Sequence, residues 1–343
     1  MGVFGNDIGI DLGTSSVLLS TRGKGVIMRE PAVVAMDKVT GRLLNVGMAA
    51  QRMLGRTPGS VVALKPMHEG AISDYVMTER MLREFVRKAL SFTLIKPRII
   101  ISVPSGITEV EERAVIEAGI ASGARKVYLM EAPLAAAIGT GLDITKPNGH
   151  MVIDIGGGTT DIAVLSLSGV VESTSLKAGG DAYDEALIRY IKRRHNILIG
   201  DNTAEELKKS IGCVFPRPEV VAVEVKGRCL LTGLPRVVAI SSNDVLEAFE
   251  EVIENLVETV HDVLEATPPE LVADISENGI LLTGGNSQLW GYDKLISSRT
   301  SILSYTADDA DLCVANGLAK ALNWVGDMTE GTINLGRRRQ MRT

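Results

Sequence analysis

One pattern in this chain occurs twice, and it constrains the fold more than any other. The run Ile8-Gly9-Ile10-Asp11-Leu12-Gly13-Thr14-Ser15 is answered by Val152-Ile153-Asp154-Ile155-Gly156-Gly157-Gly158-Thr159-Thr160, with the two aspartates 154 - 11 = 143 residues apart. Each copy is an apolar strand that ends in aspartate, turns through glycine and hydroxyl residues, and resumes as a strand, so each reads as a β-hairpin. Two such halves facing one another place both polar turns in one cleft.

The rest of the chain alternates strand and helix patterns. A helix capped by Ser73-Asp74 is expected to about residue 91, with Val76, Met81, Leu82, Phe85 and Val86 on its apolar stripe. A strand at residues 98–103 and a helix at 108–122 follow, then helices near 182–195 and 203–211 and strands through 220–240. Residues 243–266 carry Val245, Phe249, Val252, Ile253, Leu256, Val260 and Val263 on one face and end at Pro268-Pro269, an amphipathic packing helix. This order predicts an α/β architecture of two halves with helices on the sheet faces. With 343 residues there is room for two cores.

Composition narrows the function classes. The balance of 36 basic and 42 acidic residues, net -6, supplies no general attraction for nucleic acid, although Arg337, Arg338, Arg339 and Arg342 cluster at the C-terminus. Cys213, Cys229 and Cys313 have neither metal-knuckle nor disulfide-framework spacing. No apolar run approaches the ~20 residues of a membrane span, and residues 1–6 lack a signal-peptide pattern, so a cytosolic location is expected. Neither a GxxxxGK[ST] loop nor a GxGxxG fingerprint occurs, and His68, His150, His195 and His261 show no HExxH spacing.

Glycine turns let successive backbone N–H groups converge on an anion, so Gly13-Thr14-Ser15-Ser16 and Gly156-Gly157-Gly158-Thr159-Thr160 are candidate phosphate cradles. Asp11 and Asp154 close apolar strands, where a carboxylate either caps its turn or faces a hard cation such as Mg²⁺. A third apolar strand enters a glycine turn at Gly284-Gly285-Asn286-Ser287. Glu205, Glu206, Lys208 and Lys209 lie on a helix, as a solvated charged face or as partners of ribose hydroxyls. Glu131 precedes Ala132-Pro133 at a helix start, where it complements the helix dipole or orients a water for phosphoryl transfer.

Taken together with segments 23–36, 131–142, 154–167, 189–212 and 225–236, these turns resemble the MreB family of bacterial actin homologues, including its Mbl-like paralogues, within the actin, sugar-kinase and heat-shock-chaperone ATPase superfamily. The resemblance runs from about residue 6 to 321. It implies an actin-like ATPase fold: two duplicated α/β domains around a nucleotide cleft, each with a smaller subdomain. The implied division is residues 1–145, with a small subdomain at about 31–65 and a C-terminal helix at 316–335 returning to it; residues 146–315, with a small subdomain at about 181–239; and a basic tail at 336–343.

The resemblance also implies ATP and Mg²⁺ as cofactors, slow ATP hydrolysis coupled to polymerisation, and assembly with itself into double protofilaments. The protein would sit in the cytoplasm, peripheral at the inner membrane surface, where it determines rod cell shape with cell-wall elongation proteins. Carried over, Gly13, Thr14, Ser15 and Ser16 hold phosphates from one side and Gly156, Gly157, Gly158 and Thr159 from the other. Asp11 and Asp154 orient Mg²⁺ through water, and Glu131 with Thr160 positions the lytic water. Glu205, Glu206, Lys208, Gly284, Gly285, Asn286 and Ser287 surround the adenosine, while Phe92, Leu94 and Ile95 fall where the family has a hydrophobic membrane loop. The chain departs from the family at Ser15-Ser16 (usually Ala-Asn), at Asn286 (usually Gly) and at Cys229 (usually Asp), and residues 288–292 are unusual beside the adenosine turn. A soluble small-molecule kinase on the same fold is the alternative; residues 25–65 leave little room for its acceptor site. A chaperone ATPase would require a further substrate-binding domain.

Overall fold

A computed structural model describes residues 7–90 and 95–326, and the backbone alone of 331–333. The first half opens with an antiparallel meander, β1 (Ile8–Leu12), β2 (Ser16–Thr21) and β3 (Gly25–Pro31). A small sheet follows, built from β4 (Val34–Asp37), β5 (Leu43–Val46) and β6 (Val61–Leu64), with the short helix α1 (Met48–Gln51) between its strands. The hairpin β7 (Met67–His68) and β8 (Ala71–Ile72) leads to α2 (Tyr75–Ala89), β9 (Arg98–Val103), α3 (Glu109–Ala121), β10 (Lys126–Glu131) and α4 (Ala132–Thr140).

The second half repeats the plan: a meander of β11 (His150–Ile155), β12 (Thr160–Ser166) and β13 (Gly169–Leu176), then α5 (Gly180–His195), β14 (Ile197–Leu198) and α6 (Asp201–Ile211). The hairpin β15 (Ala222–Cys229) and β16 (Pro235–Ser241) precedes α7 (Ser242–Ala266), α8 (Pro269–Asn278), β17 (Ile280–Thr283), α9 (Tyr292–Thr300), β18 (Ser304–Thr306), α10 (Cys313–Ala321) and β19 (Gly331–Ile333).

Strand order is β19-β10-β9-β1-β2-β3 in one main sheet and β13-β12-β11-β17-β18 in the other. In each, the aspartate-ending strand pairs antiparallel with the next strand and parallel with a later one, β1 with β9 and β11 with β17. A parallel neighbour requires a crossover, and the helices between supply it. These central strands are buried on both faces, which explains the consecutive apolar residues Ile99, Ile100 and Ile101 of β9 and Met151, Val152 and Ile153 of β11.

Local signals account for the helix ends. Asp74 caps α2 by accepting from the Met77 amide at 3.0 Å, and Thr108 with Glu111 and Ser241 with Asp244 form reciprocal capping boxes for α3 and α7. All seven stripe residues of α7 are buried. Val76 departs from expectation: it is half exposed, because the buried face of α2 runs through Met77, Met81, Leu82, Phe85 and Val86. The expected helix at 316–335 is also corrected. α10 ends at Ala321, and residues 331–333 instead form β19, parallel to β10 in the first sheet. The tail at 336–343 lies outside the described residues.

One core joins the halves. α4 and α10 pack together between Ile100 and Tyr128 of one sheet and Val152, Ala163, Leu165 and Leu281 of the other. Their backbones touch: a Cβ at Gly139 would lie 1.9 Å from the Cys313 carbonyl oxygen, and one at Gly317 would lie 1.7 Å from that of Ala135. This shared pivot sets the two aspartate turns face to face.

Candidate functional site

Between the halves lies a cleft of about 730 Å³. Its floor is the pair of turns. Gly13 N–H donates to the Ser16 carbonyl at 3.1 Å, and Gly156 N–H donates to that of Thr159 at 2.8 Å, so both hairpins close alike. They approach until only glycine fits: a Cβ at Gly157 would meet Ser15 Oγ at 2.2 Å, and one at Gly158 would meet Thr14 Oγ1 at 2.3 Å. Gly13, Thr14, Ser15, Ser16, Gly156, Gly157, Gly158 and Thr159 all line the cleft. The start of α5 is tied to the second turn, with Gly180 N–H donating to Gly156 O at 3.0 Å and Asp181 N–H to Gly157 O at 2.8 Å.

Three carboxylates sit at this end, Asp154 and Asp161 buried and Asp11 partly so. Asp11 Oδ1 accepts from Ser102 Oγ at 2.7 Å, and Asp154 Oδ1 accepts from Thr283 Oγ1 at 2.9 Å. Burial pushes Asp11 up to about 6, against the lowering effects of Ser102 and Arg29. Burial, then the charges of Asp161 and Asp11, push Asp154 up to about 7. Asp161, raised to about 6 by burial, accepts from the Ser105 amide at Oδ1 and from Thr159 Oγ1 at Oδ2, each at 2.9 Å. Among the described residues no group of three or more His, Cys, Asp or Glu is arranged to hold a metal directly. Hard oxygen donors too few for a full cage suit a cation that keeps its water, as Mg²⁺ does.

The opposite wall comes from α5, α6 and the turn after β17. Lys208 Nζ donates to Gly180 O at 2.6 Å and to Asp184 Oδ2 at 2.8 Å. Asp184 Oδ1 is buried and has no partner. Burial, only partly offset by Lys208, raises Asp184 to about 6. Glu205 feels the same upward push from burial, but its bond to Lys209 Nζ at 2.6 Å helps hold it below the usual carboxylate range. Gly284, Gly285 and Asn286 line the cleft. Asn286, where the resemblance expects glycine, donates from Nδ2 to Gly156 O at 2.7 Å and so ties the third turn to the second.

Several expected site residues do not reach the cleft. Glu206 and Ser287 are not among its lining residues; Ser287 instead donates to Gly284 O at 2.7 Å and shapes the turn. Glu131 and Thr160, expected beside a lytic water, are not among the residues that line the cleft. At the junction of β10 and α4, Ala132 lines the cleft, and Glu131 is buried and accepts from Ser105 Oγ at 3.0 Å. Thr160 Oγ1 donates to Ala178 O at 2.7 Å, and its neighbour Thr159 lines the cleft. Phe92 and Leu94 lie outside the described residues; Ile95 is exposed ahead of β9.

Other residues of the site had gone unassigned. Ser102 and Ser105 sit at and beyond the carboxyl end of β9, where open α/β sheets place ligand contacts. Asp184 follows Asp181 by three positions on α5, which puts both on one face.

A family model described as MreB/Mbl protein matches residues 5–330. The chain is 45% identical over 338 residues to the cell shape-determining protein MreB of Escherichia coli (strain K12), covering 97% of each. It is 45% identical over 322 residues to the cell shape-determining protein Mbl of Bacillus subtilis (strain 168), covering 94% of this chain and 97% of the other. Among solved structures it resembles MreB 5 of Spiroplasma citri bound to AMPPNP, with TM-score 0.89 and 33% identity over 94% of this chain and 97% of that one. A MamK double helical filament shares the fold at TM-score 0.80 and 21% identity, over 93% of this chain and 99% of that one.

Proposed function

Since the chain belongs to the MreB/Mbl family and has its actin-like fold, we propose that it is an ATP-dependent filament protein that sets rod cell shape at the inner face of the membrane. The observation that carries this reading is the apposition of the two glycine turns, each following an aspartate on the preceding strand. Backbone N–H groups from both halves then converge on a polyphosphate. Asp11 and Asp154 would hold Mg²⁺ through water, and the ion would neutralise charge on the phosphates. Asp184 Oδ1, buried without a partner at the far wall, suits a ribose hydroxyl donor. Gly284, Gly285 and Asn286 flank the place for the base.

Closure on ATP couples the two halves, so nucleotide state is read out as the shape of the protomer. Slow hydrolysis follows from a cleft better furnished to hold phosphates than to activate water. Glu131, fixed by its hydrogen bond from Ser105 Oγ, would position the lytic water with help from Thr160. Assembly into double protofilaments gives many weak membrane contacts through Phe92, Leu94 and Ile95, and multivalency makes the filament bind where a protomer does not. Among the described residues no helix is long and apolar enough to cross a membrane, which is consistent with peripheral attachment. Cell-wall elongation proteins are the partners in this reading.

The test is sedimentation and electron microscopy with Mg-ATP, with and without anionic liposomes. Nucleotide-dependent filaments on the liposomes are expected. A monomer that persists at all protein and salt concentrations favours a soluble small-molecule kinase. Phe92→Ser with Leu94→Ser should lose the liposomes and keep the nucleotide.

A further inference from the structure

The cleft lies at the carboxyl ends of the parallel strands of the first sheet, where Asp11, Ser102 and Ala132 line it. The opposite ends of those strands form a second surface with different chemistry. We propose that this surface rests on an anionic lipid leaflet, with Trp324 as its interfacial anchor; this depends on the reading of the protein as peripheral at a membrane.

Topology assembles the surface from distant parts of the chain. β9, β10 and β19 are parallel neighbours, so α2, α3 and α10 each deliver the chain to the same end of the sheet. Each delivery leaves one large apolar side chain in solvent. Ile95 ahead of β9 is 40% exposed, Ile120 in the last turn of α3 is 45% exposed, and Trp324 beyond α10 is 51% exposed.

Backbone contacts hold these three segments to one end. Arg98 at the start of β9 donates from its amide and its guanidinium to Asp7, and a Cβ at Gly326 would lie 3.9 Å from Arg98 Nη1. The Arg125 amide, just ahead of β10, donates to Pro97 O at 2.9 Å. Arg22, in the turn between β2 and β3 beside the start of β1, donates to Leu322 O and so reaches the segment that carries Trp324.

Charge selects the occupant. Arg22, Lys24, Lys88, Lys96, Arg125 and Lys126 are all exposed at this end, on a chain whose net charge is -6. Of the acids nearby in sequence, Asp7 pairs with Arg98 and Glu84 with Arg87, while Glu117 sits about one turn back along α3. Separate apolar tips among cations suit a leaflet, which needs no complementary groove. An indole has an apolar body and a polar N–H, the combination that places tryptophan at headgroup level. Lysine and arginine reach the phosphates while their stems cover apolar surface. The cleft, at the far end of the same strands, then faces away from the lipid.

The experiment uses the full chain with vesicles of phosphatidylglycerol in phosphatidylcholine, and with phosphatidylcholine alone. The chain has two tryptophans, so Trp290→Phe leaves Trp324 as the fluorescent reporter. Its emission should shift to the blue on the anionic vesicles and be quenched by lipids brominated on the acyl chain. Trp324→Ala should weaken partitioning to those vesicles by about fivefold or more, and Trp324→Phe should recover most of it. Lys96→Glu with Arg125→Glu should weaken it by about tenfold or more, a loss that high salt erases by screening. All these variants should bind a fluorescent ATP analogue as the parent does. Unchanged partitioning of Trp324→Ala, or no quenching by brominated lipid, overturns the assignment and leaves membrane attachment to other contacts. Equal binding of the parent to phosphatidylcholine alone overturns the selection by charge. Failure of the parent to bind any vesicle overturns the membrane reading itself.

Discussion

Lys65 Nζ and Asp181 Oδ1, 116 positions apart in the chain, form a 2.8 Å ion pair that joins the small sheet of the first half to α5 of the second. Burial works against the charge on Lys65, but Asp181, Glu205 and Asp184 together outweigh it and hold the ammonium above its ordinary pKa. Both side chains are about a third exposed, so the pair adds little to folding, about 1 kcal/mol at most. Its effect is on closure. Lys65→Met should leave thermal stability nearly unchanged and speed nucleotide release by about fivefold or less, the equivalent of 1 kcal/mol. Stopped-flow release of a fluorescent nucleotide measures it, and an unaltered rate would remove the pair from any role in closure.

Gly157→Ala should separate the two turns. Its new Cβ would lie 2.2 Å from Ser15 Oγ and 2.7 Å from Ser15 Cβ, closer than packing allows. We expect ATP affinity to fall by about tenfold or more, equivalent to about 1.4 kcal/mol. Gly59→Ala is the control, since a Cβ there meets nothing within 4 Å. Equal affinities in the two variants would show that the turns do not act as a joint cradle.

Asp184 should make stability depend on pH in the nucleotide-free protein. Its folded-state pKa, about 6 against 3.8, means that the folded state binds the proton more tightly than the unfolded state. Stability from this group is therefore present in full below pH 3.8 and is lost as pH rises through about 6, by up to roughly 3 kcal/mol. Denaturant melts of the parent and Asp184→Asn between pH 4 and 8 isolate it. Parallel curves would mean that the Lys208 partnership already offsets burial.

Asn286→Gly should loosen the bond between the third turn and the second. Loss of the 2.7 Å hydrogen bond to Gly156 O removes about 1 kcal/mol, and glycine adds backbone freedom to the unfolded chain. The melting temperature should fall. A rise would mean that the asparagine strains the turn instead of tying it.

The chain's own pattern was enough to read the paired aspartate turns, the capped helices α2 and α3, and the long stripe of α7. These depend on neighbours within a few residues. Burial of Val245, Phe249, Val252, Ile253, Leu256, Val260 and Val263 follows from helical period alone. Val76 escaped because one position of rotation moves a residue off a stripe. The segment beyond α10 escaped because β19 exists only by pairing with β10, some 200 residues earlier.

Local sequence thus determined which segments turn through glycine, which strands end in aspartate, and that two similar halves face each other. Tertiary structure alone decided which side chains meet in the cleft. Glu131 and Ala132 are adjacent in sequence, yet where strand becomes helix they meet different surroundings, one bonded to Ser105 and the other lining the cleft. Asp161 comes to Ser105 from the other half of the chain. Spacing carries no information on that meeting, because it depends on how α4 and α10 pack the two sheets against one shared core.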